Sequence, residues 1–276
     1  MNSKKIISII VPIFNEVEVL PVFFERLFDV TSKIKNYNFE IIVINDGSLD
    51  ESLNFILSLK KKFKNIILID LSRNFGKEAS LTAGIDISIG EAVIPIDSDL
   101  QDPPELILDL IKKWESGFDI IEAKRIDRKN DSFFKKTSAH VFYFIMNLLS
   151  KSKISNNVGD FRIISRVVVE NIKKLNERNR YMKGILSWPG FKKDYVEYKR
   201  DKRFAGKTKF NFFKLLQLAI DGITSFSIAP LKIISFLGFV GVLTSLIFVI
   251  VIFFQKIFLN NLITGYAFLV LLIFNI

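Results

Sequence analysis

From Ile233 to Phe254 the chain runs for 22 residues without a charge, and most of them are Phe, Leu, Ile and Val. Built as a helix at about 1.5 Å per residue, this run reaches about 33 Å, enough to cross a hydrocarbon core of about 30 Å. A helix of this length buried in a water-soluble core would carry a polar stripe, and none is visible. The run therefore predicts a membrane span and divides the chain into a long charged part and a short apolar end.

All 29 acidic residues lie at or before Pro230, as do all 39 basic residues except Lys232 and Lys256. The most basic stretch comes just ahead of the span: Lys192, Lys193, Lys199, Arg200, Lys202, Arg203, Lys207, Lys209 and Lys214 stand against Asp194, Glu197 and Asp201. By the positive-inside rule the N-terminal part stays in the cytoplasm, which places the chain in an inner membrane. Beside anionic headgroups each such basic residue contributes about 1 kcal/mol.

The N-terminal apolar run, Ile6 to Ile13, is broken by Ser8 and Pro12 and reads as a strand rather than a signal peptide. Beyond Phe254 a turn-like stretch leads to Tyr266–Ile276, which covers only about 16 Å as a helix and reads as a second span that the chain ends inside, in preference to a re-entrant piece. Phe212 to Ser227 reads as an amphipathic interfacial helix, with Phe213, Leu216 and Ile220 on one side. The expected organisation is a cytoplasmic domain over residues 1–210, the interfacial helix over 211–229 and a multi-pass membrane region over 230–276. Absence of cysteine excludes disulfides, zinc fingers, thiol catalysis and iron–sulfur ligation. The single histidine, His140, excludes a multi-histidine metal site and is read as structural.

Runs rich in Ile and Val recur at intervals of roughly 30 residues: Ile6–Val11, Glu40–Ile44, Ile66–Leu71 and Ala92–Asp97. Between them Glu16–Lys35, Asp50–Lys62, Lys77–Ile87 and Pro104–Trp114 read as helices. Strands apolar on both faces and alternating with helices predict an α/β fold with a mostly parallel, Rossmann-like sheet covered on both sides. A fifth strand is expected over Asp119–Ala123, and a helix over Asp131–Leu149 with Phe134, Val141, Ile145 and Leu148 on one stripe.

Ligands of such sheets bind at the carboxyl ends of the strands. The polar clusters fall there: Asn15-Glu16, Asn45-Asp46-Gly47-Ser48, Ser72 to Lys77, and Asp97-Ser98-Asp99-Leu100-Gln101. No G-x-G-x-x-G follows the first strand, and Gly206-Lys207-Thr208 lacks both the upstream glycine and the strand of a phosphate loop. Asp97 and Asp99, two apart at a strand end, are expected to point the same way. Carboxylates that close repel unless a cation lies between them or one is protonated, and an oxygen site widened by Gln101 suits Mg²⁺ or Mn²⁺ on a diphosphate. Solvated acids on a loop are the plainer reading of the pair taken alone.

Val11-Pro12-x-x-Asn15-Glu16, Asn45-Asp46-Gly47-Ser48-x-Asp50, Asp97-Ser98-Asp99-Leu100-Gln101-Asp102-Pro103-Pro104-Glu105 and Gly159-Asp160-Phe161-Arg162 resemble, in order and spacing, the family 2 inverting glycosyltransferases with a GT-A fold. Within these the chain is similar to the polyprenyl-phosphate branch, which includes the bactoprenol glucosyltransferases and the dolichol-phosphate mannose synthases. The resemblance implies that Pro12, Glu16 and Asp46 hold the nucleoside, with Asp46 reading the base edge. Asp97 would face ribose and diphosphate, while Asp99 and Gln101, with Asp97, hold Mg²⁺ or Mn²⁺. Asp160 matches the catalytic base. Arg125, Arg128 and Lys135, with Arg162, match an acceptor-phosphate site, and Arg203 and Lys209 match a loop that closes over the donor.

The implied activity is transfer of a hexose, best read as glucose from UDP-glucose, to undecaprenyl phosphate with inversion. GDP-mannose, UDP-N-acetylglucosamine and an aminoarabinose donor are the alternatives. The partners implied are the nucleotide sugar, the lipid phosphate, the membrane and a homo-oligomer of the kind that occurs in this branch, with no nucleic acid. A lipid phosphate monoester has a second pKa near 6 and is mostly a dianion at neutral pH, so orientation by Asp160 counts for more than proton removal. A processive polysaccharide synthase would need a Q-x-x-R-W element, which this sequence lacks. A membrane-tethered, inactive nucleotide-binding module would not need Asp97, Asp99 and Asp160 together.

Overall fold

The computed structural model describes residues 4–126, 158–175, 182–185, 190–199 and 229–259. The chain forms two units, Met1–Ser225 and Phe226–Ile276.

In the first unit seven strands form one sheet: β1 (Lys5–Ile13), β2 (Tyr37–Asn45), β3 (Ile66–Asp70), β4 (Ala92–Pro95), β5 (Ile120–Arg125), β6 (Val158–Ser165) and β7 (Lys193–Tyr198). Their order is β3-β2-β1-β4-β6-β5-β7. β1 pairs in parallel with β2 on one side and β4 on the other, so the winding reverses between β1 and β4 and leaves a crevice at their carboxyl ends. The sheet is mixed: β6 runs antiparallel to both β4 and β5, whereas β7 joins β5 in parallel. Because β6 is reversed, its first residues lie at the edge where the parallel strands end.

The helices follow their apolar spacing. α1 (Leu20–Lys33) buries Leu20, Phe23, Phe24, Leu27 and Val30, one stripe at helical spacing. These side chains meet Ile7, Ile9, Val11, Ile41 and Val43 of the central strands in the main core. α2 (Ser52–Lys62) buries Ile56. α3 (Lys77–Ile87) lies close on the sheet because Gly84 has no Cβ: one placed there would stand 2.5 Å from Ile10 Cγ2 and 2.9 Å from Ile44 Cδ1. A 3₁₀ turn, Pro104–Leu106, leads into α4 (Ile107–Trp114), so the expected single helix from Pro104 starts as a tighter turn. α5 (Arg166–Lys173) and the one-turn α6 (Met182–Ile185) complete the described helices of this unit.

β4 ends at Pro95, two residues before Asp97, and the last backbone bond of the ladder runs from Ile96 N to Ile10 O. Asp97, expected as the last residue of this strand, therefore sits with Asp99 on the loop that follows it. Leu100 turns that loop with a φ of 58°, while its side chain stays buried in the core. For a branched residue this left-handed backbone costs about 1–3 kcal/mol, and packing of the side chain holds it in place.

The second unit contains α7 (Ala229–Leu259), an apolar helix of 31 residues. Its segment Leu231–Gln255 has a mean hydropathy of 2.8 and is long and apolar enough to cross a bilayer. The expected helix over Asp131–Leu149 with His140, the interfacial helix over Phe212–Ser227 and the second span from Tyr266 lie outside the described residues.

Candidate active site

The loops at the carboxyl edge are laced to one another by their own polar side chains. Asn15 N donates to Ser48 Oγ at 3.0 Å, and Leu49 N donates to Asn15 Oδ1 at 2.7 Å. Glu16 N donates to Ser52 Oγ at 3.0 Å, and Val17 N to Asp50 Oδ2 at 3.2 Å. Ser98 Oγ donates to Glu16 Oε2, which ties the loop after β1 to the loop after β4. Asn15 takes a φ of 51°, which asparagine tolerates better than other side-chain-bearing residues. Burial pushes Asp50 up, but hydrogen bonds from Ser52 and Val17 outweigh it and hold the carboxyl below the usual carboxylate range.

Asp46 is only 4% exposed. Phe75 N donates to its Oδ1 at 2.8 Å, and Gly76 N and Asn74 Nδ2 donate to its Oδ2 at 3.0 Å each. The carboxylate expected to read a base edge is thus turned to the loop that leads into α3, and most of its lone pairs are in use. Gly47 brings that loop close: its φ is 67°, and a Cβ there would lie 2.5 Å from the Arg73 carbonyl carbon.

This arrangement sets the start of α3, where Lys77 reaches into the crevice. Lys77 Nζ lies 2.6 Å from Asp97 Oδ1 and 2.6 Å from Asp160 Oδ2. Burial disfavours a charged Lys77, but Asp160 and Asp97 outweigh it and raise its pKa well above that of an ordinary lysine. Burial also lifts Asp97; Lys77 pulls it back, Asp160 and Asp102 push it up again, and the net direction is upward.

Asp99 is buried, and its Oδ1 accepts from Gln101 N at 3.1 Å. Among the described residues no group of three or more acidic or histidine side chains forms a metal cage. A hard divalent ion on a diphosphate needs only one or two carboxylates, because phosphate and water oxygens fill the rest of its shell. The oxygen donors of Asp99 and Gln101 fit that description, while Asp97 is already engaged by Lys77.

On the far side of the crevice Tyr198, the last residue of β7, donates its hydroxyl to Asp102 Oδ1. Burial, together with Asp102, drives the Tyr198 pKa far above the tyrosine range, while Arg125 opposes the shift. Gly159 leaves space for this cluster, since a Cβ there would stand 3.3 Å from Arg125 Nη2. Arg162, expected at the acceptor phosphate, is instead 1% exposed. Its guanidinium points inward, donating to Glu122 Oε1 at 3.3 Å and to the carbonyl oxygens of Gly159 and Asp160. The reason is register: Arg162 stands opposite Glu122 on the neighbouring strand, so its nearest anion is inside the sheet.

Of the expected site residues the structure brings Pro12, Glu16, Asp46, Asp97, Asp99, Gln101, Arg125 and Asp160 to one edge of the sheet, and Arg162 beneath it. Arg128, Lys135, Arg203 and Lys209 lie outside the described residues. Lys77, Asp102 and Tyr198 were not anticipated. Lys77 closes a polar run at a strand's carboxyl end and could have been singled out, whereas a tyrosine in a charged stretch carries no such signal.

A mixed α/β sheet with acidic loops meeting where the winding reverses is the architecture of a GT-A glycosyltransferase. The chain belongs to glycosyl transferase family 2, whose profile matches residues 8–173. It is 47% identical over 260 residues to the prophage bactoprenol glucosyl transferase homolog of Escherichia coli (strain K12), covering 94% of this chain and 85% of that one. It is 50% identical over 232 residues to the bactoprenol glucosyl transferase of Shigella phage SfX, covering 84% of this chain and 76% of that one. Among solved structures, glucosyl-3-phosphoglycerate synthase from Mycobacterium tuberculosis shares the fold, with a TM-score of 0.53 at 14% identity over 81% of this chain and 80% of that one.

Proposed function

We propose that this glycosyltransferase moves glucose from UDP-glucose to a polyprenyl phosphate, undecaprenyl phosphate, with inversion at the anomeric carbon. The observation that carries the reading is the 47–50% identity to proteins named bactoprenol glucosyl transferase, over most of the chain. The reaction requires a diphosphate leaving group to be neutralised, an acceptor phosphate to be held in line and water to be kept out.

Asp99 and Gln101 would hold a divalent ion, Mg²⁺ or Mn²⁺, which supplies positive charge to the departing diphosphate. Pro12 and Glu16 lie where the nucleoside enters, and Asp46 acts by shaping the loop beside it. Asp160 faces the crevice from the reversed strand and orients the attacking phosphate oxygen or the sugar. Arg125 presents a guanidinium to an acceptor phosphate from the end of β5, with Arg128, Lys135, Arg203 and Lys209 as further candidate cations on the acceptor and donor sides. The apolar helix α7 and the basic stretch before it suit a membrane-held acceptor reached from the cytoplasmic side, with the second apolar segment as another pass.

The test is transfer of radiolabelled glucose from UDP-glucose into an organic-extractable lipid, by the full chain in membranes supplied with undecaprenyl phosphate. Label appearing in the lipid phase only when the lipid phosphate is present is the expected result. Soluble or polymeric labelled product, or transfer from another nucleotide sugar in place of UDP-glucose, would overturn the assignment.

A further inference from the structure

Lys77 enters none of the roles above, yet it joins two of their carboxylates. Its ammonium makes 2.6 Å ion pairs to both Asp97 and Asp160 and donates to Asp97 Oδ2 at 2.7 Å. The three residues come from separate places in the fold: the first turn of α3, the loop after β4 and the start of β6. An ammonium has three donors and no acceptor, so it can grip two carboxylates at once. Its position is built in, because Asp46 anchors the preceding loop and the close approach at Gly84 fixes the helix on the sheet. Without this cation, two carboxylates so near each other would repel and swing apart.

We propose that Lys77 is a positioning residue for the transfer: it clamps Asp160 to Asp97 across the crevice and is the standing counter-ion that a divalent metal must compete with at Asp97. The kinetic part of this proposal rests on the function proposed above; the metal part does not. Lys77 holds Asp97 through both carboxylate oxygens, so a divalent ion gains that carboxylate only by displacing an ammonium. A lysine that merely stabilised the fold would change neither metal affinity nor the balance between turnover and donor binding.

The experiment uses the full chain in detergent, as wild type, Lys77→Met and Lys77→Arg, each checked for folding by circular dichroism. Mn²⁺ binding without nucleotide is read by electron paramagnetic resonance. Lys77→Met should bind Mn²⁺ about tenfold more tightly than wild type, because Asp97 becomes available. Lys77→Arg, which keeps the charge, should stay within about threefold of wild type. In the transfer assay, Lys77→Met should lower kcat about 10²-fold with little change in the KM for the donor, as expected for a misplaced carboxylate. Unchanged or weaker Mn²⁺ binding in Lys77→Met would overturn the proposal, as would a raised donor KM with normal kcat, which marks a donor-binding lysine. Should Lys77→Met not fold, Lys77→Gln takes the same measurements. A wild type that transfers no sugar defeats the function reading alone, since the Mn²⁺ titration needs no substrate.

Discussion

Arg162 and Glu122 form an ion pair within the sheet, Nη1 to Oε1 at 3.3 Å, with both side chains almost fully buried. Removing one partner strands a buried charge, which costs about 3–5 kcal/mol. Glu122→Ala should therefore lose most of the domain's stability in chemical denaturation of the solubilised protein. A double change, Arg162→Met with Glu122→Leu, should recover much of it, since an apolar pair of similar volume removes the uncompensated charge. The double variant should still turn over slowly, because Arg162 also holds the carbonyls of Gly159 and Asp160.

The Asp46 loop anchor makes a second expectation. Gly47→Ala would put a Cβ 2.5 Å from Arg73 backbone at a φ of 67°. Strain of this kind costs about 1–3 kcal/mol and should displace the 73–76 loop rather than the sheet. UDP titration should show weaker binding for both Gly47→Ala and Asp46→Ala, with near-normal secondary structure by circular dichroism. Normal UDP affinity in both would separate this loop from the nucleotide site.

Asp50 links stability to pH. Its folded-state pKa lies below the ordinary value of 3.8, so its contribution is fully present above that value and fades as pH falls through the folded pKa. Its carboxylate accepts from Ser52 N at 3.0 Å and from Val17 N at 3.2 Å, and a hydrogen bond to a charged acceptor contributes about 1.5 kcal/mol. Asp50→Asn, which turns these charge-assisted bonds into neutral ones, should be less stable than wild type at pH 7 by up to about that amount. The gap should close below about pH 3.8, read from urea midpoints across the range.

Asp160 and Asp99 should separate by kinetics. Asp160→Asn is expected to lower turnover by about 10² or more while nucleotide affinity stays near wild type. Asp99→Ala should abolish the dependence of nucleotide binding on Mg²⁺ or Mn²⁺. Equal losses of turnover and nucleotide affinity in Asp160→Asn would remove Asp160 from the chemical step, and an unaltered metal response in Asp99→Ala would remove Asp99 from the metal.

Much of the architecture was legible in local pattern. β1 to β4 are apolar on both faces, as strands between two helical layers must be, and α3 keeps the expected limits of Lys77 and Ile87. β6 and β7 were not legible. β6 carries Asp160 and Arg162 inside an otherwise apolar run, and only pairing with Glu122 makes that arginine a buried residue. β7, Lys193–Tyr198, is an edge strand whose charges read as a solvated basic segment; such charges are what an unpaired edge tolerates.

The site divides in the same way. Its acidic loops were visible because chemistry at a strand's carboxyl end needs particular residue types close together in sequence. Their partners were not, because hydrogen bonds and ion pairs join residues far apart in the chain: Asp46 to Phe75, Lys77 to Asp160, Tyr198 to Asp102. By itself the sequence determined which segments are apolar enough to form a sheet or cross a bilayer, since that depends on composition over a short window. Only the tertiary structure decided which charges meet, because electrostatic contact falls off within a few ångströms and is set by strand order, strand direction and the close approach of α3.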